Sequence, residues 1–359
     1  MKNKKNKAFT LIEILIYATL LSLVTLFLIQ IVIYYNKSSR TIDQINALQI
    51  RINAALTILD YDFTNAGYTA LQDGVVLSRF YFVNANGQVV NDNIASDVRR
   101  IILQNNGFVD RVSFNYFELE ENNLAFISNA TLLGQGNSAE IDIPRSVVDM
   151  HNNPDFQNVW PDPNDDESSP YPVIAYAPDA DGNFIGVLFY ITRVQYPANH
   201  MQHRPVRFYG GNLNIDIVNR LPSNNVRLIK PRNIFRLNYY VDNNGNLIRE
   251  VYNFRTDNQF TRDAILTNVE SFNIEVALDQ DNDNQPDLDN NQEIRWFDSI
   301  PNGLEDRVAM LRYTIVLRSN IRTLMGLERN PLTNQGNDWF KRLMLYRTVT
   351  LRNIVNPSI

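Results

Sequence analysis

From Phe9 to Tyr35 the chain reads FTLIEILIYATLLSLVTLFLIQIVIYY, apolar at almost every position, with Glu13 as its one charged side chain. As an α-helix this stretch would extend roughly 40 Å at 1.5 Å per residue. A bilayer core needs only about 20 residues, so the stretch is predicted to span a membrane. Beyond Tyr35 the pattern turns amphipathic. Ile42, Ile45, Gln49, Ile52, Leu56, Leu59 and Phe63 follow at alternating spacings of three and four, and Leu48 and Ala55 widen the stripe. That period is the apolar face of a packed helix. No glycine or proline interrupts Phe9–Ala66, so one continuous helix is predicted, ending at Gly67. Its second half needs an apolar surface to lie on.

The remainder alternates as strands do. Val75–Val83, Arg111–Leu119, Leu124–Leu133, Val187–Tyr196, Ser271–Leu278, Arg307–Arg318 and Leu343–Arg352 are rich in Val, Ile, Phe and Tyr. Two hairpins are predicted, one turning at Asn86-Gly87 and one at Asn244-Gly245 in LNYYVDNNGNLIREV, because Asn-Gly suits the positive φ of tight turns. His151–Pro172 is rich in Pro, Asp and Asn and reads as a long surface loop. The expected fold class is therefore α+β: a long N-terminal helix, half transmembrane and half amphipathic, packed on a mainly antiparallel β head with large loops.

Composition narrows the chemistry. The chain of 359 residues carries a net charge of −6 even with Lys2, Lys4, Lys5 and Lys7 at its start. An acidic body lacks the basic face that nucleic-acid binding uses, so no nucleic-acid partner is expected. With lysines before the span and mixed-charge sequence after it, the positive-inside rule puts the N-terminus in the cytoplasm and the head outside. There are no cysteines and three histidines. Disulfides, thiolate nucleophiles and zinc–thiolate sites are excluded, and no nucleophile–base–orienter set stands out, so an enzyme is not expected.

The segment KAFTLIEILI resembles the processing site of type IV prepilins and pseudopilins: a short basic leader, a small residue, then Phe-Thr-Leu-Ile-Glu ahead of a long apolar helix. The resemblance implies a leader at residues 1–8, cleavage by a prepilin peptidase between Ala8 and Phe9, and methylation of the new amino group of Phe9. Glycine is usual before the cut; here it is Ala8. It further implies a transmembrane half-helix at 9–35, an amphipathic half at 36–66 and an extracytoplasmic β-rich head at 67–359. Glu13, the fifth residue after cleavage, would neutralise the N-terminal amine of a neighbouring subunit and so set assembly register. A lone carboxylate in hydrocarbon is costly, and pairing offsets much of that cost. The alternative is a carboxylate near enough to the bilayer surface to stay hydrated.

LDYDFTNAGYTAL resembles the helix end of PilW-like minor pilins, with Asp62, Phe63, Ala66, Gly67 and Tyr68 in place but Thr64 where that group has arginine. ILTNVESFNIEVALD, RVAMLRYTIVLRS and YRTVTLRNIV are similar to its closing strands. This implies a minor pilin held in the inner membrane, recruited with other minor and major pilins to prime assembly, and left at the pilus tip. A J-like minor pseudopilin of a type II secretion system is the first alternative. A pilus-carried adhesin or ligand-binding module is the second.

One acidic constellation stands in the head. In DQDNDNQPDLDNNQE, Asp279, Asp281 and Asp283 alternate, Gln285 could offer a backbone carbonyl, Asp287 takes the ninth place and Asn290 the twelfth. Calcium takes six to eight hard oxygens, and this spacing predicts a structural calcium site. Asn284 replaces the usual glycine and Asn290 the usual glutamate, for which Asp289 or Glu293 could stand in. An unliganded acidic loop is the alternative. Asp179 and Asp181 read as an Asp-Gly turn rather than a site, His200 and His203 as loop residues, and His151 as isolated. Trp160 and the tyrosines of Tyr171–Tyr176 suit either a core or a distal sticky surface.

Overall fold

The computed structural model describes residues 10–67, 77–81, 101–107, 109–119, 126–135, 138–143, 158–160, 171–180, 182, 184–195, 206–210, 221, 225–253, 260–281, 283, 285–304, 307–322, 329–334 and 340–351. The predicted turn at Asn86-Gly87 and the histidines His151, His200 and His203 fall outside them.

A single helix, α1, runs Leu11–Thr64, roughly 80 Å at 1.5 Å per residue. Its outer half is exposed throughout, and among the described residues it is one helix long and apolar enough to cross a membrane. The aliphatic hydroxyls there turn inward on the backbone: Thr19, Ser22 and Thr25 donate to the carbonyls of Leu15, Ala18 and Leu21 at 2.7, 2.7 and 2.8 Å, so these three need no water in a lipid setting. The helix ends on Asn65, and Gly67, at φ 68°, donates its N–H to the Asn115 carbonyl at 2.8 Å. The left-handed turn that glycine permits carries the chain off the helix directly onto the sheet.

The strands that follow are β1 Leu77–Tyr81, β2 Ile102–Gln104, β3 Arg111–Leu119, β4 Phe126–Gln135, β5 Ser138–Ile143, β6 Tyr171–Pro178, β7 Phe184–Gln195, β8 Val206–Gly210, β9 Val226–Ile229, β10 Pro231–Val241, β11 Leu247–Asn253, β12 Thr261–Leu266, β13 Val269–Leu278, β14 Trp296–Phe297, β15 Val308–Arg322 and β16 Phe340–Thr350. They form three sheets, antiparallel except where β1 runs parallel to β7. A five-stranded sheet is ordered β12-β11-β10-β3-β2, and a four-stranded sheet β14-β13-β15-β16. An isolated bridge from Val109 to Phe272 joins these two. Asp110, fully buried, stitches the seam by accepting the N–H of Ile274 at 2.7 Å and that of Asn106 at 3.3 Å; burial raises its pKa.

Together the two sheets are the surface that the amphipathic half-helix needs. Phe63 sits edge-on to Phe114, Tyr239 and Tyr313 at 5.7, 5.3 and 5.3 Å between ring centroids. The buried line along the helix, however, is Thr41, Leu48, Ile52, Ala55, Leu59 and Asp62, flanked by Leu56 and Phe63. The predicted line through Ile42 and Gln49 is rotated: Ile42 is 54% exposed and Gln49 is exposed. The expected polar exception at Gln49 is therefore no exception, because Leu48 occupies the buried row. A three-and-four stripe has two edges, and the sheets select one of them.

The third sheet is the unexpected element. Its order is β1-β7-β6-β9-β4-β5-β8, and β7 also pairs with β8. One edge of β7 is taken by β6; the other is shared by β1 and, further along, by β8. Strands β4 to β9 therefore close into a six-stranded antiparallel barrel. In sequence it is inserted between β3 and β10, which are neighbours in the five-stranded sheet. Side chains from all of its long strands fill the interior, among them Ile127, Ile141, Val173, Val187, Ile191 and Leu228. Val159 and Trp160, the latter fully buried, join that core. The expected loop His151–Pro172 is thus corrected twice: 158–160 anchors in the barrel, and Tyr171 and Pro172 open β6. Tyr171 and Tyr176 are buried as well, which leaves the core reading of these aromatics and removes the sticky-surface one. Phe117 and Ile234 pack against Phe80, Ile174, Leu188 and Ile229 to hold the barrel on the sheet.

The hairpin at Asn244-Gly245 joins β10 to β11 as predicted, with Gly245 at φ 74°. Asp242 ties its turn by accepting from the backbone N–H groups of Asn244 and Asn246 at 2.9 and 2.8 Å. Those bonds hold its pKa below the usual carboxylate range.

Candidate functional site

Two of the sites read from the sequence can be built in atomic terms. At the head of α1, Thr10 is the N-cap in extended conformation, and Thr10 with Glu13 forms a capping box. The backbone N–H and the hydroxyl of Thr10 both donate to Glu13 Oε2 at 2.9 Å, and the Glu13 N–H donates to Thr10 Oγ1 at 3.4 Å. Two otherwise unsatisfied backbone N–H groups at the helix start are thus paired locally. The carboxylate is consequently not a bare charge within a single chain. Its Oε2 is used by its own helix, while Oε1 accepts no hydrogen bond among the described residues. The Thr-x-x-Glu spacing that signals this box was present in TLIE and went unread. Ala8 and Phe9 lie outside the described residues.

The acidic loop follows β13. Asp279, Asp281 and Asp283 come together, with one oxygen from each lying within 4.8 Å of the others; Asp279 is buried and the other two are exposed. Asx turns set this curl: the Asp283 N–H donates to Asp281 Oδ1 at 3.3 Å and the Gln285 N–H to Asp283 Oδ1 at 2.8 Å. Asp287 is not part of that trio. Its Oδ1 accepts from the Gln280 N–H at 3.1 Å, and its own N–H donates to the Leu278 carbonyl at 2.7 Å, closing the base of the loop. Asn290 is exposed in a separate tight turn. Asp289 organises that turn by accepting the N–H groups of Asn291 and Glu293 at 2.8 and 3.0 Å, and these bonds lower its pKa. Asp289 is thereby committed to its own turn. Asp179 belongs to a turn closed by the Gly182 N–H at 3.1 Å, with Gly182 at φ 84°, as expected of Asp-Gly.

A third cluster was missed. Asp62, fully buried on the last turn of α1, receives Arg249 in a fork: Nε to Oδ2 at 2.6 Å and Nη2 to Oδ1 at 3.2 Å. The Tyr239 hydroxyl donates to the same Oδ2, and burial and the charge of Asp62 push the Tyr239 pKa well up. On either side, Asp60 Oδ1 accepts from Tyr313 at 2.6 Å, and the Tyr61 hydroxyl donates to Glu118 at 3.2 Å. Three consecutive residues of the helix end are thus pinned to both sheets. The guanidinium on Asp62 comes from β11 rather than from the helix position filled by Thr64. Nothing local in the sequence pairs residues so far apart.

Comparison with known proteins adds the following. Residues 3–29 match the family model described as "Prokaryotic N-terminal methylation motif". No match was found among curated proteins. Among solved structures, a "Type IV-like pilin" from Thermus thermophilus is similar over 34% of this chain and 70% of its own, at 14% identity and a TM-score of 0.24. The chain thus carries a prokaryotic N-terminal methylation motif at the head of one long apolar helix, with an α+β body behind it.

Proposed function

We propose that this protein is a PilW-like minor pilin that helps prime type IV pilus assembly and resides at or near the tip. The observation that carries this reading is the methylation motif running into a helix whose outer half is exposed along its length and whose inner half is buried on the head. Such a helix is stored in the inner membrane as a single span, with the head outside the cytoplasm. It leaves the lipid only for a bundle of similar helices, so its partners are other minor and major pilins, after a prepilin peptidase has cut between Ala8 and Phe9. The work is packing, and no catalytic step is assigned to the chain. Glu13 supplies register: with Oε2 held by Thr10, Oε1 can accept the methylated amine of a neighbour, which restores a neutral pair in an apolar surrounding.

Glu13→Ala is expected to abolish recruitment, reducing the protein in sheared pili by at least tenfold, while Thr10→Ala, which loses only the cap, reduces it less. Immunoblots of pili and of membranes from the same cells check this. Unchanged recruitment of Glu13→Ala would sink the register role. Deletion of the protein separates pilus from secretion system: loss of pili supports the reading, and loss of exoprotein secretion with normal pili moves the protein to the J-like pseudopilins.

We further propose that Asp279, Asp281 and Asp283 hold a structural calcium ion, with the Gln285 carbonyl at the rim. The support is the approach of three carboxylates, one of them buried, which repel one another unless a cation lies between them. The ion would rigidify the β13–β14 connection. Calcium added to the EDTA-treated chain is expected to raise its melting temperature, and Asp281→Asn to remove that rise. An identical melting temperature with and without calcium would leave an acidic loop only.

A further inference from the structure

The five-stranded sheet has a second face, away from α1, that the barrel covers only at the Phe117–Ile234 end. The uncovered part is a groove of about 530 Å³. Its floor is one cross-strand row in register, Arg262–Glu250–Asn238–Ser113. Arg111 and Arg236 flank that row from neighbouring positions of β3 and β10. Three guanidiniums therefore surround one carboxylate, in a chain whose net charge is −6. The sign of the groove is opposite to that of the protein, so composition does not account for it.

Glu250 is buried and heavily used. Its Oε1 receives Arg262 Nε at 2.6 Å and the Tyr240 hydroxyl at 2.9 Å, and its Oε2 receives Asn238 Nδ2 at 3.1 Å. Arg111 stands 3.9 Å off Glu250 Oε2, too far for a hydrogen bond, and stacks over the Tyr240 ring at 5.1 Å. Glu250 thus holds Arg262 through Nε and Arg111 lies against Tyr240, so Glu250 occupies a minority of the five donors on each guanidinium. Arg262 and Arg111 remain 68% and 43% exposed. Their outward N–H groups form a prepared seat for a planar oxyanion.

The rest of the lining selects among oxyanions. The amides of Asn238 and Gln104 and the Ser113 hydroxyl are neutral groups that exchange hydrogen bonds with hydroxyls. Phe260, 39% exposed and packed on Tyr252 at 5.3 Å, offers an aromatic edge to the same groove. A carboxylate, several hydroxyls and an apolar C–H face occur together on an acidic sugar. We propose that this groove binds a saccharide carrying a carboxylate, with Arg111 and Arg262 on the carboxylate and Asn238 and Gln104 on its hydroxyls. The site would stand on any filament that carries the head, so it does not depend on the assignment to pili.

The test uses the full chain in detergent and titrates galacturonate oligomers and sialyllactose, with galactose oligomers, lactose, inorganic phosphate and an acidic peptide as comparisons, by calorimetry or ligand-observed NMR. One acidic sugar is expected to bind at least tenfold tighter than its neutral counterpart, and tighter than phosphate or peptide. Arg262→Gln and Arg111→Gln are each expected to weaken it about tenfold, Arg111→Gln without moving the melting temperature, since Glu250 keeps all of its hydrogen bonds there. No binding of either acidic sugar, equal binding of the neutral sugar, or equal binding of phosphate or peptide would each overturn the proposal. Arg111 makes no hydrogen bond to Glu250, so its variant leaves the buried carboxylate partnered, and loss of binding there reports on the groove.

Discussion

Asp62→Ala is expected to destabilise the protein by about 3–5 kcal/mol, the range for removing one partner of a buried ion pair. The cost arises from what is left behind. Arg249, with 21% of its side chain exposed, loses both arms of its fork, and the Tyr239 hydroxyl loses its acceptor, in a site the Asp62 carboxylate had filled with only 1% exposure. Asp60→Ala is the control on the same turn: it removes one hydrogen bond from Tyr313 beside solvent and should cost about 1 kcal/mol. Urea unfolding of the full chain in detergent measures both. Replacing both partners, Asp62→Leu with Arg249→Met, should recover most of the loss, since no charge is then stranded. If Asp62→Ala costs no more than Asp60→Ala, the fork is not what holds the helix to the head.

Trp160→Ala should cost a similar 3–5 kcal/mol, but in a different place. Trp160 is fully buried in the barrel core, on the connection between β5 and β6. Among the described residues the barrel joins the five-stranded sheet through the chain entering after β3 and leaving before β10, and through the apolar contact around Phe117. Hydrogen exchange should therefore speed up across β4–β9 and leave β13 and β15 protected. Equal loss of protection in both regions would mean that the barrel and the two sheets beneath α1 fold as one unit. Lys230 bears on the same joint: it donates to the Val159 carbonyl and lies 4.4 Å from the Tyr171 ring centroid, fastening the Trp160 segment to the strand exit.

Some elements were legible because their cause is local. An apolar run without glycine or proline dictates a helix, and Asn-Gly between alternating segments dictates a turn; both depend on a handful of adjacent residues. The seven segments read as strands lie within a few residues of β1, β3, β4, β7, β13, β15 and β16 for the same reason, whereas β2, β5, β6, β8, β9, β12 and β14 were not read. Others were illegible in proportion to the distance between the groups involved. The alternation in Val187–Tyr196 marks a strand, but not that β7 shares one edge between β1 and β8 and so closes a barrel. The stripe on α1 was placed on the edge through Gln49, since alternation alone does not say which flank meets the sheet. The trio of aspartates could be read from its spacing; that Asp287 and Asp289 serve the loop's own backbone could not.

The sequence by itself determined the long apolar helix, the methylation motif at its head and the presence of Glu13, because hydrophobicity, helix propensity and a short motif are properties of neighbouring residues. The tertiary structure alone decided that Asp62 faces Arg249, that Trp160 lies in a core and that three arginines of the acidic head share one groove. Each of those joins residues from separate strands or from the helix and a strand. Their proximity is set by sheet register and barrel closure, which depend on how many distant segments bury their apolar faces at once.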